Sequence, residues 1–250
     1  MILRIDDIGA STKTFNQYGK KVFYISNIPV FYFPLANFWF FKKVWPFKGW
    51  GPYKELLKEE WLSYLEVFKE YQIKPIIAIT ACWCEKDSSL TPFFEKFPEQ
   101  SSLLKKAFLN DDIIIANHGL SHCVIGKHLP LFFGSNRRYH REFWPYLTEK
   151  THFFHILKSQ KILEDFFEKQ IEIFVPPGNI WSHKTYEVLK KTNIKKVIAN
   201  RYMADSEEDM IGIDFIDDRE DFAIMHDRDL KLKGVKYLKN VLKKFTKKDN

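Results

Sequence analysis

The sequence predicts an α/β fold closed as a distorted (β/α) barrel of about seven strands, built as one domain over residues 1–250. Three observations predict it. Short apolar runs alternate with longer amphipathic stretches along most of the chain. The connections between them are short, which favours a parallel sheet covered by helices. A length of 250 residues is enough for one large core and is typical of such a barrel.

Candidate strands cover residues 2–5, 75–80, 112–116, 172–175, 196–199, 210–216 and 222–225, each a run of β-branched and other apolar residues. Helical periodicity fills 54–71, 151–169, 182–191 and 234–245. An insertion of about residues 22–53 follows the first strand: eleven of the 23 residues from 31 to 53 are aromatic, interspersed with Pro34, Pro46, Gly49, Gly51 and Pro52. Residues 22–41 carry no charge, which is long enough to span a bilayer as a helix. Pro29 and Pro34, with Ser26, Asn27 and Asn37, argue against that helix and leave two readings, a cap on the barrel mouth or an interfacial membrane contact. A basic C-terminal helix of about residues 231–250 holds eight Lys beside a stripe of Val235, Leu238, Leu242 and Phe245. It reads either as a last barrel helix with a solvated lysine face or as an amphipathic helix on anionic lipid.

A net charge of +7 suits an anionic partner. Nucleic acid ranks last, because no nucleic-acid-binding motif accompanies the basic residues. Cys82, Cys84 and Cys123 have neither disulfide nor zinc-ribbon spacing; small buried side chains in a reducing compartment are the expectation. The opening Met1-Ile2-Leu3-Arg4 reaches acidic residues at once, so no signal peptide and a cytoplasmic location are expected.

Four short motifs each follow an apolar run. Asp6-Asp7-Ile8-Gly9 leaves the first strand, so one carboxylate can bind a metal while its neighbour serves as a base. His118-Gly119-Leu120-Ser121-His122 spaces two imidazoles four apart, which on a helical turn would put both on one face. Two His and one carboxylate leave open positions on a metal, as catalysis requires. Pro176-Pro177-Gly178-Asn179 would form a rigid wall beside a ligand or an ordinary turn. His226 ends the last strand, just before Asp227 and Arg228.

In this order the motifs resemble the polysaccharide deacetylase family, carbohydrate esterase family four, of which the chain would be a diverged, non-secreted member. The resemblance runs from residue 2 to about residue 230, and its most specific parts are Ile5-Asp6-Asp7 and Asn117-His118 with Ser121-His122. It implies a divalent metal, Zn²⁺ first and Co²⁺, Ni²⁺ or Mn²⁺ as substitutes, held by Asp7, His118 and His122. It also implies Asp6 as general base, His226 as general acid, and an oxyanion met by the metal and a backbone N–H near the proline motif. Pro176, Pro177, Gly178, Asn179 and Arg228 would bind substrate. Two departures stand out. Val175 occupies the place of the arginine that orients the base, leaving Arg4, Arg201 or Arg228 to replace it. The acidic support of the late histidine falls among Asp214, Asp217 and Asp218 without the usual Trp.

The implied activity is metal-dependent removal of an N-acyl group, N-acetyl foremost, from a nucleotide- or lipid-linked sugar of surface polysaccharide synthesis. The expected site of action is the cytoplasm, with peripheral contact at the inner membrane face. The alternatives are a catalytically silent sugar-binding or scaffold protein, and a deformylase of a lipid-linked amino sugar.

Overall fold

Period-2 alternation in the first strand puts Leu3 and Ile5 on one face and Arg4 and Asp6 on the other, and all four are buried. A strand buried on both faces belongs inside a parallel sheet covered by helices. The computed structural model describes residues 2–15, 19–32, 35–48, 55–131, 136–219 and 221–246. Its strands are β1 (Ile2–Ile8), β2 (Val22–Ile25), β3 (Ile28–Phe31), β4 (Ile76–Ile79), β5 (Cys82–Cys84), β6 (Leu90–Pro92), β7 (Ile114–Asn117), β8 (Ile173–Phe174), β9 (Lys196–Ala199), β10 (Asp214–Asp217) and β11 (Phe222–His226). Seven of them form one sheet in the order β10-β9-β8-β7-β4-β1-β11, and every pairing in it is parallel.

The helices are α1 (Thr12–Phe15), α2 (Lys58–Glu70), α3 (Phe93–Lys96), α4 (Pro98–Leu109), α5 (Glu149–Phe167), α6 (His183–Leu189) and α7 (Asp227–Thr246). Apolar spacing of three and four seats them: Trp61, Tyr64, Leu65 and Phe68 of α2 are buried, with Glu60 capping the Leu57 N–H at 2.7 Å. The α4 helix lies outside the predicted helical stretches and starts with Pro98, whose fixed φ suits a first helical position.

The sheet curls. Arg4, on β1, reaches across the interior to Asp218 after β10, at 2.5 Å, and to the Ile198 carbonyl on β9, at 3.5 Å. The interior is lined by Ile76, Ala78, Ala116, Val175 and Ile198, small enough to leave room for that guanidinium. The larger core, with Ile5, Ile77, Ile115, Trp61, Phe68, Phe93 and Phe167, lies between sheet and helices. Leu238 and Leu242 of α7 are buried in it, so the apolar stripe packs on protein rather than facing lipid; the side chain of Phe245 lies outside the description. Gly234 breaks the helical dihedrals within α7 at φ 68°.

The aromatic insertion is a β2–β3 hairpin followed by short helical turns. Ser26 and Asn27, both at positive φ, make its two-residue turn. Tyr32 is buried between Phe23 and Phe47, whereas Tyr24, Phe31, Phe40 and Trp45 are exposed. Residues 33, 34 and 49–54 of this region lie outside the description. No helix among the described residues is long and apolar enough to cross a membrane.

Candidate metal centre and active-site cleft

The Asp6-Asp7 pair owes its geometry to an irregularity. The register between β1 and β4 shifts between Ile5 and Ile8, and Asp7 has a left-handed φ of 70°. Strict alternation would send the two carboxylates to opposite faces; the bulge brings both to the carboxyl end of the barrel. Across the sheet, Asp7 Oδ1 lies 3.3 Å from His118 Nε2 and 3.1 Å from His122 Nε2.

The two histidines do not lie on a helical turn, contrary to the expectation from their spacing. They follow β7 in a loop, where Gly119 (φ 81°) and His122 (φ 57°) both adopt left-handed backbone. The loop is held by a residue that local sequence does not reveal. The buried Glu142 carboxylate accepts the N–H groups of Leu120, Ser121 and His122, each at 3.0 Å, and His155 Nδ1 lies 2.6 Å away. A Cβ on Gly119 would stand 2.0 Å from Glu142 Oε2, so only glycine fits.

This donor set fits a divalent cation. Ligand atoms around a tetrahedral zinc sit about 3.3 Å apart, close to the separations found here. His118 Nδ1 donates to the Val175 carbonyl at 2.7 Å, fixing the tautomer that leaves Nε2 free to ligate. His122 Nδ1 is 3.2 Å from Thr12 Oγ1, which turns its Nε2 to the same point. Burial works to raise the Asp7 carboxyl, but His122, His226 and hydrogen bonds from both ring nitrogens hold it well below the usual carboxylate range.

Asp6 stands beside this cluster. Its Oδ2 accepts from Arg4 Nη2 at 2.9 Å, while Oδ1 is buried with no hydrogen-bond partner among the described residues. Of the three arginines expected to replace that of the proline motif, Arg4 contacts Asp6. Burial disfavours its charge, but Asp6 and Asp218 outweigh that and raise its pKa. Asp218 is thus no loop residue in solvent: it is buried, with Oδ2 on Arg4 Nη1 and Oδ1 without a hydrogen-bond partner among the described residues.

His226 pairs in register with Asp6 across β1 and β11. Its Nδ1 lies 3.6 Å from Asp229 Oδ2, a support outside the Asp214–Asp217–Asp218 group expected from sequence. Burial would lower its pKa, yet Asp7, Asp229 and Asp6 push it up to about 9.

The cleft has a volume of about 250 Å³ and is lined by Asp6, Asp7, His118, His122, His226 and the turn at Pro176, Gly178 and Asn179. Arg228 lines it too, with Arg137, Arg141 and His140. Pro177 does not: its ring is buried against Gly119, so it packs the loop instead of meeting a ligand. Neither Pro176 nor Pro177 has an N–H, and the Asn179 N–H donates to Pro176 O at 2.9 Å. Gly178 supplies the remaining amide of the turn, and its missing side chain lets Arg141 lie across it. His140 is buried; burial pushes its pKa down to about 3, and its Nδ1 has no partner among the described residues.

The family model for polysaccharide deacetylases matches residues 51–197, more than half of the sequence. The chain belongs to the polysaccharide deacetylase family. Solved structures similar to this chain include a family 4 pseudoenzyme of Bacillus anthracis, in a mutant with restored enzymatic activity, at 11% identity and TM-score 0.46, covering 76% of this chain and 60% of that one. Another is a family 4 acetyl xylan esterase of Clostridium thermocellum in complex with a cobalt ion, at 9% identity and TM-score 0.37, covering 59% and 54%. A third is IcaB of Ammonifex degensii, at 13% and 0.39, covering 61% and 60%. The chain thus spans less than two thirds of the length of each. No curated protein matches it.

Proposed function

We propose that this deacetylase removes an N-acyl group, N-acetyl foremost, from a sugar carried on a nucleotide or lipid phosphate. The observation that carries the reading is the convergence of Asp7, His118 and His122 between a buried carboxylate oxygen of Asp6 and the ring of His226. A divalent cation bound to those three side chains, zinc by preference, would polarise the acyl carbonyl and acidify a water.

The chain's own residues do the rest. Asp6 Oδ1 takes the proton of the attacking water, and Arg4 fixes the carboxylate through its other oxygen so that it cannot rotate away. The Gly178 N–H meets the oxyanion that develops on the far side. His226, whose proton is held by Asp7, Asp229 and Asp6, gives it to the departing amine. His140, neutral, accepts a sugar hydroxyl at Nδ1. Arg137, Arg141 and Arg228 at the same cleft favour a phosphate on the substrate, since guanidinium groups bind phosphate oxygens in pairs.

The exposed Tyr24, Phe31, Phe40 and Trp45, with neighbouring lysines, support peripheral contact with an anionic membrane face, and we place the reaction on its cytoplasmic side. The test is a panel of nucleotide- and prenyl-phosphate-linked N-acyl sugars given to zinc-reconstituted protein. Acetate release is expected. Formate would make the enzyme a deformylase, and no acid from any substrate would sink the hydrolase reading in favour of a silent sugar binder. Asp6→Asn should lower turnover by about 10²-fold or more with zinc retained, whereas His122→Ala should lose both.

A further inference from the structure

Beside the catalytic cluster lies a second set of metal-ligand side chains, formed by Cys84, Cys123 and His128. One ligand atom from each lies within 4.8 Å of the others. All three residues are buried, at 0% exposure. They come from two distant pieces of chain: Cys84 ends β5, and Cys123 and His128 lie on the stretch between β7 and the short 3₁₀ turn Arg137–His140. Nothing in linear spacing links residues 84, 123 and 128 into a zinc motif; the fold alone assembles them.

The distances suit a soft divalent cation. At ordinary zinc–sulfur and zinc–nitrogen lengths, a tetrahedral site separates sulfur from nitrogen by about 3.6 Å. Cys84 Sγ lies 3.7 Å from both ring nitrogens of His128. The second ring nitrogen of His128 donates to the Glu85 carbonyl at 2.8 Å. That bond fixes the tautomer that leaves Nδ1 unprotonated and able to ligate, the outer-shell arrangement that ligating histidines usually show. The Phe15 ring packs edge-on against the imidazole at 5.1 Å between centroids and keeps its plane in place. Two thiols and one imidazole prefer zinc to calcium or magnesium.

We infer that Cys84, Cys123 and His128 bind a structural zinc ion that pins the catalytic loop from behind. Binding releases two thiol protons to solvent, and the fourth coordination position is left to a small oxygen donor. Because Cys123 is bonded to His122, the ion would hold the β5 hairpin, the metal-binding loop and the loop of His128 as one unit. The inference is independent of the deacetylase reading, since it concerns a different ligand set.

The experiment is cobalt substitution of the full chain with metal analysis. Thiolate ligation gives an intense near-ultraviolet sulfur-to-cobalt absorption that an Asp-His-His site cannot produce. Intact protein should show this band and bind about two equivalents of Co²⁺ or Zn²⁺ per chain, one for each ligand set. C84S/C123S should lose the band and about one equivalent, while His118→Ala should retain the band. Absence of the band in intact protein, or its persistence in C84S/C123S, would overturn the inference. If the double variant does not fold, peptide-resolved alkylation of the unmodified protein decides. Chelation should raise labelling of Cys84 and Cys123 several-fold; equal labelling with and without zinc, or a Cys84–Cys123 disulfide in freshly isolated protein, would also overturn it.

Discussion

Arg4 shows how much a single buried cation can govern. It lies at 0% exposure between Asp6 and Asp218, two carboxylates that would repel each other without it. Removing one partner of a buried ion pair commonly costs about 3–5 kcal/mol, because the other charge is left stranded. Arg4→Met should therefore destabilise the fold by that order and lower kcat about 10–100-fold with zinc content unchanged. Arg4→Met/Asp218→Leu should regain stability on chemical denaturation without regaining turnover, which separates positioning of Asp6 from mere packing. His226 offers a second prediction. In metal-free protein its pKa of about 9 means the cationic ring contributes stability fully below about pH 6.5, the unfolded value, and loses it as pH rises through 9. Zinc neutralises part of the Asp7 charge that holds this proton, so zinc should move the His226 imidazole titration downward in NMR spectra. An unmoved titration would detach His226 from the metal cluster. The Asp7, His118 and His122 positions were legible because each side chain stands next to a strand end in a short motif. Arg4 was one of three candidate arginines, and the structure is what sets it on Asp6; Glu142, His140 and Asp229 were not legible, since only tertiary packing gives them a site to serve.

The loop between β7 and the Glu142 region is the element on which the metal cluster depends. Sequence spacing of His118 and His122 suggested a helix, yet the chain takes left-handed turns at Gly119 and His122 and spends three successive N–H groups on one carboxylate. That bonding cannot be read from five residues, because the acceptor is 20 or more positions away. Gly119→Ala tests it directly. The new methyl would meet Glu142 Oε2, and the left-handed backbone adds a cost of about 1–3 kcal/mol. Lower denaturation midpoints and weaker zinc binding by calorimetry are expected together; a variant with normal zinc affinity would show that the loop tolerates displacement. The β1 bulge is similarly hidden. Alternation predicts where Arg4 points, but the register shift that turns Asp7 beside Asp6 depends on β4.

Across the whole molecule, the seven parallel strands and the helices α2, α5, α6 and α7 were legible from alternating apolar and amphipathic runs, with ends off by a few residues, whereas α4 was not. What the pattern left open was the fate of the basic C-terminal helix. Packing decides it: Leu238 and Leu242 are buried among Trp61, Leu65 and Leu3 in the main core, and the lysines face outward. Leu238→Ala should cost about 2–5 kcal/mol in thermal or urea unfolding, a loss that a helix resting on lipid would not show. The sheet order has a further bearing on how the protein is made. Among the adjacent strands β7, β4 and β1, β1 carries Asp7 and β7 leads into His118 and His122, all in the first half of the chain, while the Arg4 brace waits for Asp218, and His226 comes later still. A nascent chain emerging from the ribosome therefore exposes the three ligand side chains before it holds Glu142 and Val175, the partners that orient them, so a cation site should close only once the later half has folded.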